Sequence, residues 1–263
     1  MPVTPIDDSD AMEAAEVGPD ETLDRLTGAL RILQKRRGHR AATDDTLLAW
    51  AAAHARPGAQ RVLDLGSGKG TVAMLLLQRL PGCRVVGVEA EPVSHDLALR
   101  NRRINGLMDR WTPRLGDLRD PSVLAGVAPF DLVTGAPPFL PIGSGVLPRD
   151  PLRAAGRFEL RGGVQDYVAT AARHLAALGA VVILMDDLGR ARAEAAFEAA
   201  GLGLRRRVAV RPWPGRRPTY WLFVAERGQG DVAEATLDLR PAAGAAHSPE
   251  LDAIRRALDL LPG

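Results

Sequence analysis

A carboxylate followed by three glycines on alternate positions, Asp64-Leu65-Gly66-Ser67-Gly68-Lys69-Gly70, stands between an apolar run and a helical pattern. Glycines placed there let the backbone turn tightly and approach a ligand where side chains would collide. The spacing excludes two common phosphate-binding loops. A P-loop needs a glycine, four residues and then Gly-Lys-Ser/Thr, but Leu63 holds the first position and Gly70 follows Lys69. A dinucleotide fingerprint needs its third glycine at position 71, which is Thr71. Glu89 closes the next apolar run, where a carboxylate can accept two hydrogen bonds from a ribose diol. Lys69 is expected to be solvent-exposed and receives no role.

A second constellation, Ala136-Pro137-Pro138-Phe139, follows another apolar run. The two prolines fix the backbone and leave carbonyls that no strand ladder draws in. The aromatic ring directly after them can stack on a flat substrate. The histidines (His39, His54, His95, His174, His247) are dispersed without metal-ligand spacing, and only His39 falls beside a candidate site.

Both constellations need strands to position them. Residues 62–65, 84–88, 113–115, 131–134 and 181–185 read as strands, and 71–80, 94–105, 164–177 and 190–200 as helices. That alternation implies βαβ crossovers, hence an α/β fold with a mainly parallel sheet and helices on both faces. Residues 204–210 and 219–225 are expected to form an antiparallel hairpin at one sheet edge. Ahead of this pattern, Leu23, Leu26, Leu30 and Leu33 recur at helical spacing, and a second helix is expected over 46–55. The chain divides into an acidic, mobile leader (1–21), one large domain with an N-terminal helical segment (22–227), and an Ala/Pro-rich tail (228–263) with a short helix opening at Ser248.

Composition sets the outer limits. The 263 residues carry 34 Lys+Arg against 32 Asp+Glu, a net charge of +2, and 46% apolar residues, the balance of a globular protein. No apolar run approaches the roughly 20 residues of a membrane span, and the N-terminus lacks a basic and then apolar signal pattern. A lone cysteine, Cys83, makes no internal disulfide, so a cytoplasmic protein is the expectation. Of the 34 cations only Lys35 and Lys69 are lysine. The basic residues cluster at Lys35–Arg40 and Arg205–Arg217, the second interleaved with Trp213, Tyr220 and Trp221, a combination suited to phosphates and splayed bases.

The D-x-G-x-G-x-G loop with Glu89 resembles the S-adenosylmethionine (SAM) site of class I methyltransferases. The resemblance implies a Rossmann-like fold with a seven-stranded sheet, and SAM as cofactor, leaving as S-adenosylhomocysteine, with no metal. Asp64, Gly66, Gly68, Gly70 and Glu89 would then bind the cofactor, and Asp117 would approach the adenine. Ala136-Pro137-Pro138-Phe139 resembles the N-P-P-[FYW] motif of methyltransferases acting on adenine, guanine or glutamine amines. In that group the Asn side chain and the first Pro carbonyl accept hydrogen bonds from the amine. Ala136 offers no such acceptor; losing that bond costs about 2–4 kcal/mol of transition-state stabilisation unless another group replaces it.

The likeness extends further. The segment from Arg36 to Ala49 resembles the K-x-G-[YF]-[RK]-x-x-x-D-x-x-L-L-[AG] stretch of the bacterial tRNA1(Val) adenine-N6-methyltransferase family, which implies that Thr43 and Asp44 border the cofactor; helix capping is their alternative role. Asn101-Arg102-Arg103-Ile104-Asn105-Gly106, Arg157-Phe158-Glu159 and the terminal hairpin resemble further family segments, in order over about residues 30–227. The implied function is N-methylation of a planar amine such as adenine N6 in tRNA. The alternatives are a small-molecule or protein-glutamine methyltransferase, or a SAM- or RNA-binding module with weakened catalysis.

Overall fold

The computed structural model describes residues 16–260, so most of the expected leader lies outside them. Two antiparallel strands come first, β1 (Glu21–Arg25) and β2 (Arg31–Lys35), with Leu23 opposite Leu33. They correct the helix expected over these leucines. Thr27 Oγ1 accepts hydrogen bonds from the Ala29 and Leu30 amides at 3.2 and 3.0 Å and closes a turn at Thr27-Gly28, a pair that also disfavours a helix interior.

The remaining elements alternate: α1 (Thr43–Ala55), β3 (Arg61–Leu65), α2 (Thr71–Arg79), β4 (Arg84–Glu89), α3 (Pro92–Ile104), β5 (Trp111–Leu115), β6 (Phe130–Gly135), α4 (Pro151–Arg157), α5 (Val164–His174), β7 (Leu175–Asp186), α6 (Arg190–Ala199), β8 (Leu202–Arg211), β9 (Tyr220–Arg227), β10 (Ala233–Asp238) and α7 (Pro249–Ala257). Strands β3 to β10 form one sheet in the order β10-β8-β9-β7-β6-β3-β4-β5, in which only β9 runs antiparallel to its neighbours. The chain moves outward from β3 to β5 and then returns to β6 on the other side of β3. The two loops singled out in the sequence therefore leave neighbouring strands at the topological switch point, where α/β sheets bind ligands.

The sheet has eight strands rather than seven, and the β8–β9 hairpin is not at its edge. β10, from the Ala/Pro-rich tail, pairs with β8 in parallel and covers it. Glu234 stands opposite Arg207 and Asp238 opposite Arg211, and each pair is closed by an ion pair across the strands. The tail thus joins the main sheet, and the Leu251 and Ile254 side chains of α7 are buried in the core.

Alternation along the strands divides the core. Val62, Leu132, Val182 and Leu222 face α1 and α2, whereas Leu63, Val133, Val181 and Phe223 face α5 and α6. Among the described residues no helix is long and apolar enough to cross a membrane.

The hairpin is tied to this core through α3. Asn105, 3% exposed, accepts from the Arg31 amide and donates to the Arg31 carbonyl, both at 2.8 Å. Asn101, fully buried, does the same for Leu33, accepting at 2.6 Å and donating at 3.0 Å, and also donates to the Lys69 carbonyl at 3.0 Å. The two asparagines act as a substitute neighbouring strand, and Asn101 binds the glycine loop to the same frame.

Candidate functional site

A cavity of about 190 Å3 opens where the β3, β4 and β6 loops converge. Asp44, Asp64, Gly66, Gly68, Glu89 and the whole Ala136–Phe139 segment line it. Thr43, Gly70 and Asp117, also expected there, do not. Thr43 is exposed on the first turn of α1. Gly70 opens α2 with a φ of +92°, and a Cβ on it would run into the Trp111 ring. Gly66 is constrained in the same way by the Tyr167 hydroxyl, so these two glycines answer to packing of the protein; a Cβ at Gly68 would meet open space. Asp117 is occupied by Arg119, which donates to both carboxylate oxygens at 2.9 and 2.6 Å and holds the carboxyl below its usual range; its neighbours Gly116 and Leu118 take the lining positions.

The two carboxylates beside the glycine loop differ. Glu89 accepts from the Gly68 amide at 2.8 Å and the Glu91 amide at 2.6 Å, which orients it across the loop; burial still raises its pKa. Asp64 accepts from the Thr134 hydroxyl at 2.8 Å through Oδ1, while Oδ2 is buried without a partner. Burial pushes the Asp64 carboxyl up to about 7, with the charges of Asp45 and Glu89 adding to the shift and the Thr134 bond opposing it. Asp44 is raised as well, by burial and by Asp45 beside it. Helix capping falls to neither candidate: Asp45 accepts from the Ala42 amide at 3.1 Å. Ser67 Oγ and Thr71 Oγ1 are further buried polar atoms without partners, both on residues of the lining.

The Ala136–Phe139 loop is held from behind. Arg192 of α6 donates to the Phe139 carbonyl at 3.0 Å and pairs with Glu159, which accounts for the Arg157-Phe158-Glu159 segment lying where it does. Leu140 exchanges backbone bonds at 2.9 Å with Arg157 and Glu159. The Phe139 ring meets Tyr220 at a centroid distance of 5.9 Å. Sequence reasoning missed Tyr167, Leu152 and α4 altogether. Asp150-Pro151 is the signal that announces α4: Asp150 accepts from the Leu152 and Arg153 amides and Pro151 opens the helix. Tyr167 and Tyr220 are the only tyrosines of the chain, and both sit at this site.

The two arginine clusters are less available than their composition implies. Arg205 pairs with Glu226, Arg207 with Glu194 and Glu234, and Arg211 with Asp238. Lys35 pairs with Asp20 and Glu21, and Arg40 with Asp24. Trp221 is 8% exposed, with Arg190 4.2 Å from its ring and Asp187 on its indole N–H, so it serves the interior. Exposed and unpaired among the described residues are Arg37, Arg206 and Arg217 from the clusters, Arg149, Arg153 and Arg157 around α4, which composition alone did not single out, and Arg79, Arg103 and Arg256 elsewhere.

Strand order, the antiparallel β9 and the glycine loop at the switch point give the fold that class I methyltransferases share. Residues 45–147 match the methyltransferase small domain family, and the fold superposes on a predicted O-methyltransferase from Agrobacterium tumefaciens with a TM-score of 0.63 at 21% identity, over 83% of this chain and 98% of that one. More particularly, the chain resembles the tRNA1(Val) (adenine(37)-N6)-methyltransferases. It is 39% identical to one from Porphyromonas gingivalis over 104 residues, 38% of this chain and 41% of that protein, and 29% identical to one from Shewanella amazonensis over 205 residues, 77% and 84% respectively. The match thus spans about two fifths of the Porphyromonas gingivalis relative's length.

Proposed function

We propose that this protein is a SAM-dependent methyltransferase acting on a planar exocyclic amine, with adenine N6 in tRNA as its substrate class. The observation that carries the reading is one continuous cavity joining the Asp64–Gly68 loop, the Glu89 carboxylate and the Pro137-Pro138-Phe139 wall. The residues suit the cofactor. Glu89, anchored by two amides, keeps lone pairs for a ribose diol; the unpartnered Asp64 Oδ2 is an acceptor for a cationic group; Gly116 and Leu118 frame a flat base. SAM supplies a methyl group already activated on a sulfonium, so the protein's task is to position the nucleophile and exclude water.

Phe139 offers a ring face to a flat acceptor, and the Pro137 carbonyl is its hydrogen-bond acceptor in the loop. Ala136 leaves the second amine hydrogen without a side-chain acceptor from this loop. Delivery of a base from RNA is supported by Arg149, Arg153 and Arg157 and by the exposed apolar residues Ile142, Val146 and Leu147, all between the Phe139 wall and the end of α4. The test is transfer of labelled methyl from SAM to total RNA and to tRNA lacking the modification, with base analysis of the product. Ala136→Asn should raise turnover on an amine substrate by 10- to 100-fold, about 1.4–2.7 kcal/mol. Failure of the wild-type protein to label RNA, with Ala136→Asn equally inert, would overturn the amine assignment.

A further inference from the structure

Lys69 was expected at the surface, yet it is 5% exposed and lines the cavity. No hydrogen bond or ion pair reaches its ammonium among the described residues. The charges of Asp45 and Asp44 of α1 act on it favourably and that of Arg40 unfavourably, and the two carboxylates do not offset burial: the lysine pKa lies below its ordinary value. A buried cation without a partner is expensive, and the fold goes to some length to keep it there. The Lys69 carbonyl is fixed by Asn101, so the side chain leaves the loop from a defined point.

The remaining groups indicate which ligand would satisfy it. Glu89, Gly116 and Leu118 line the cavity, and so do Asp44 and Asp45, whose charges act on Lys69, and Asp64, on which Asp45 and Glu89 act. Lys35 and Arg161 also line the cavity but are engaged, Lys35 by Asp20 and Glu21 and Arg161 by the Ala90 carbonyl, so the unpaired Lys69 beside Asp44 and Asp45 matches a zwitterion. The amino-acid end of SAM carries an α-ammonium and an α-carboxylate on adjacent atoms. Resting on the methyltransferase reading above, we propose that the Lys69 ammonium receives the α-carboxylate of the cofactor while Asp44, Asp45 and Asp64 surround the α-ammonium. Lys69 is thereby the residue that distinguishes the intact cofactor from a nucleoside lacking the amino-acid end.

The experiment is calorimetric and needs no turnover. S-adenosylhomocysteine and 5′-methylthioadenosine, which shares the nucleoside and sulfur but lacks the amino-acid end, are titrated into the full-length protein and into Lys69→Met and Lys69→Gln. Lys69→Met should weaken S-adenosylhomocysteine at least tenfold and leave 5′-methylthioadenosine within about twofold. Lys69→Gln, a neutral donor, should fall between. Unfolding is expected at a higher temperature for Lys69→Met, because an unpaired buried charge is removed, so loss of binding and loss of fold are separable. Unchanged S-adenosylhomocysteine affinity in Lys69→Met, or equal loss of both ligands, overturns the assignment. Unchanged S-adenosylhomocysteine binding with weakened RNA binding overturns it in favour of a substrate phosphate. If the wild-type protein binds neither nucleoside, the methyltransferase reading itself fails, and the lysine assignment with it.

Discussion

At the residue scale, Asp64 shows a site purchased with stability. Its carboxyl has a folded pKa of about 7 against an ordinary value of 3.8. Because the folded value is the higher one, the folded state holds the proton more tightly, and the cost of burying the anion is absent below pH 3.8 and complete above pH 7. The difference amounts to about 4 kcal/mol. Asp64→Asn keeps an acceptor for Thr134 and removes the charge. Its melting temperature should therefore exceed that of the wild type at pH 8 and match it more closely at pH 5, while S-adenosylhomocysteine affinity falls at least tenfold; scanning calorimetry and titration at the two pH values check this. A melting difference that does not grow with pH would show that the Asp64 anion is not strained. The sequence made Asp64 and Glu89 legible because their spacing from the glycines is fixed by strand and loop geometry. It did not reveal the burial of Lys69 or the Arg119 clamp on Asp117, since both depend on what other elements bring up against the loop.

At the element scale, the hairpin and the glycine loop are one unit through Asn101. Asn101→Ala would strand the Leu33 amide and withdraw a donor from two carbonyls, all in the interior. The expected loss is about 2–4 kcal/mol in chemical denaturation, with weaker S-adenosylhomocysteine binding because the loop loses its tie to α3. Stability within about 1 kcal/mol of the wild type would contradict this. The asparagines were visible in the sequence as a family-like segment, but their job was not, because a side-chain amide imitating a strand leaves no period to read. The same limit explains the hairpin. Four leucines at helical spacing also fit a hairpin in which Leu23 and Leu33 pack against α3 and Leu26 and Leu30, beside the turn, reach the main core, and only the Thr27-Gly28 turn decides between the two.

Across the whole molecule, the tail completes the sheet and the arginines divide by purpose. A chain ending after Gly228 loses β10 and α7, exposing β8 and leaving Arg211 without its ion-pair partner. It is expected to melt well below the full chain or to associate through the open edge, as scattering and calorimetry would reveal. For binding, Arg153→Glu with Arg157→Glu should weaken RNA and lower the slope of log affinity against log salt by about 0.7 for each phosphate no longer neutralised, with S-adenosylhomocysteine affinity unchanged. An unchanged slope would move the RNA surface elsewhere. Most of the parallel sheet was legible from apolar runs alternating with helical periods, whereas β10 was not, since Ala233–Asp238 is polar and lies at an edge where half its residues face water.

The two ion pairs that close β10 onto β8 each span 27 positions in the chain. Removing one charge strands its partner at 211 and 238 and leaves Arg207 with Glu194 alone at the other pair, so changes at 211 and 238, and less strictly at 207 and 234, are expected to be inherited together. Descendants of this sequence that keep the eighth strand should carry a covariation signal at that single separation, and those that have lost it should show arginine drifting to neutral residues at both positions at once.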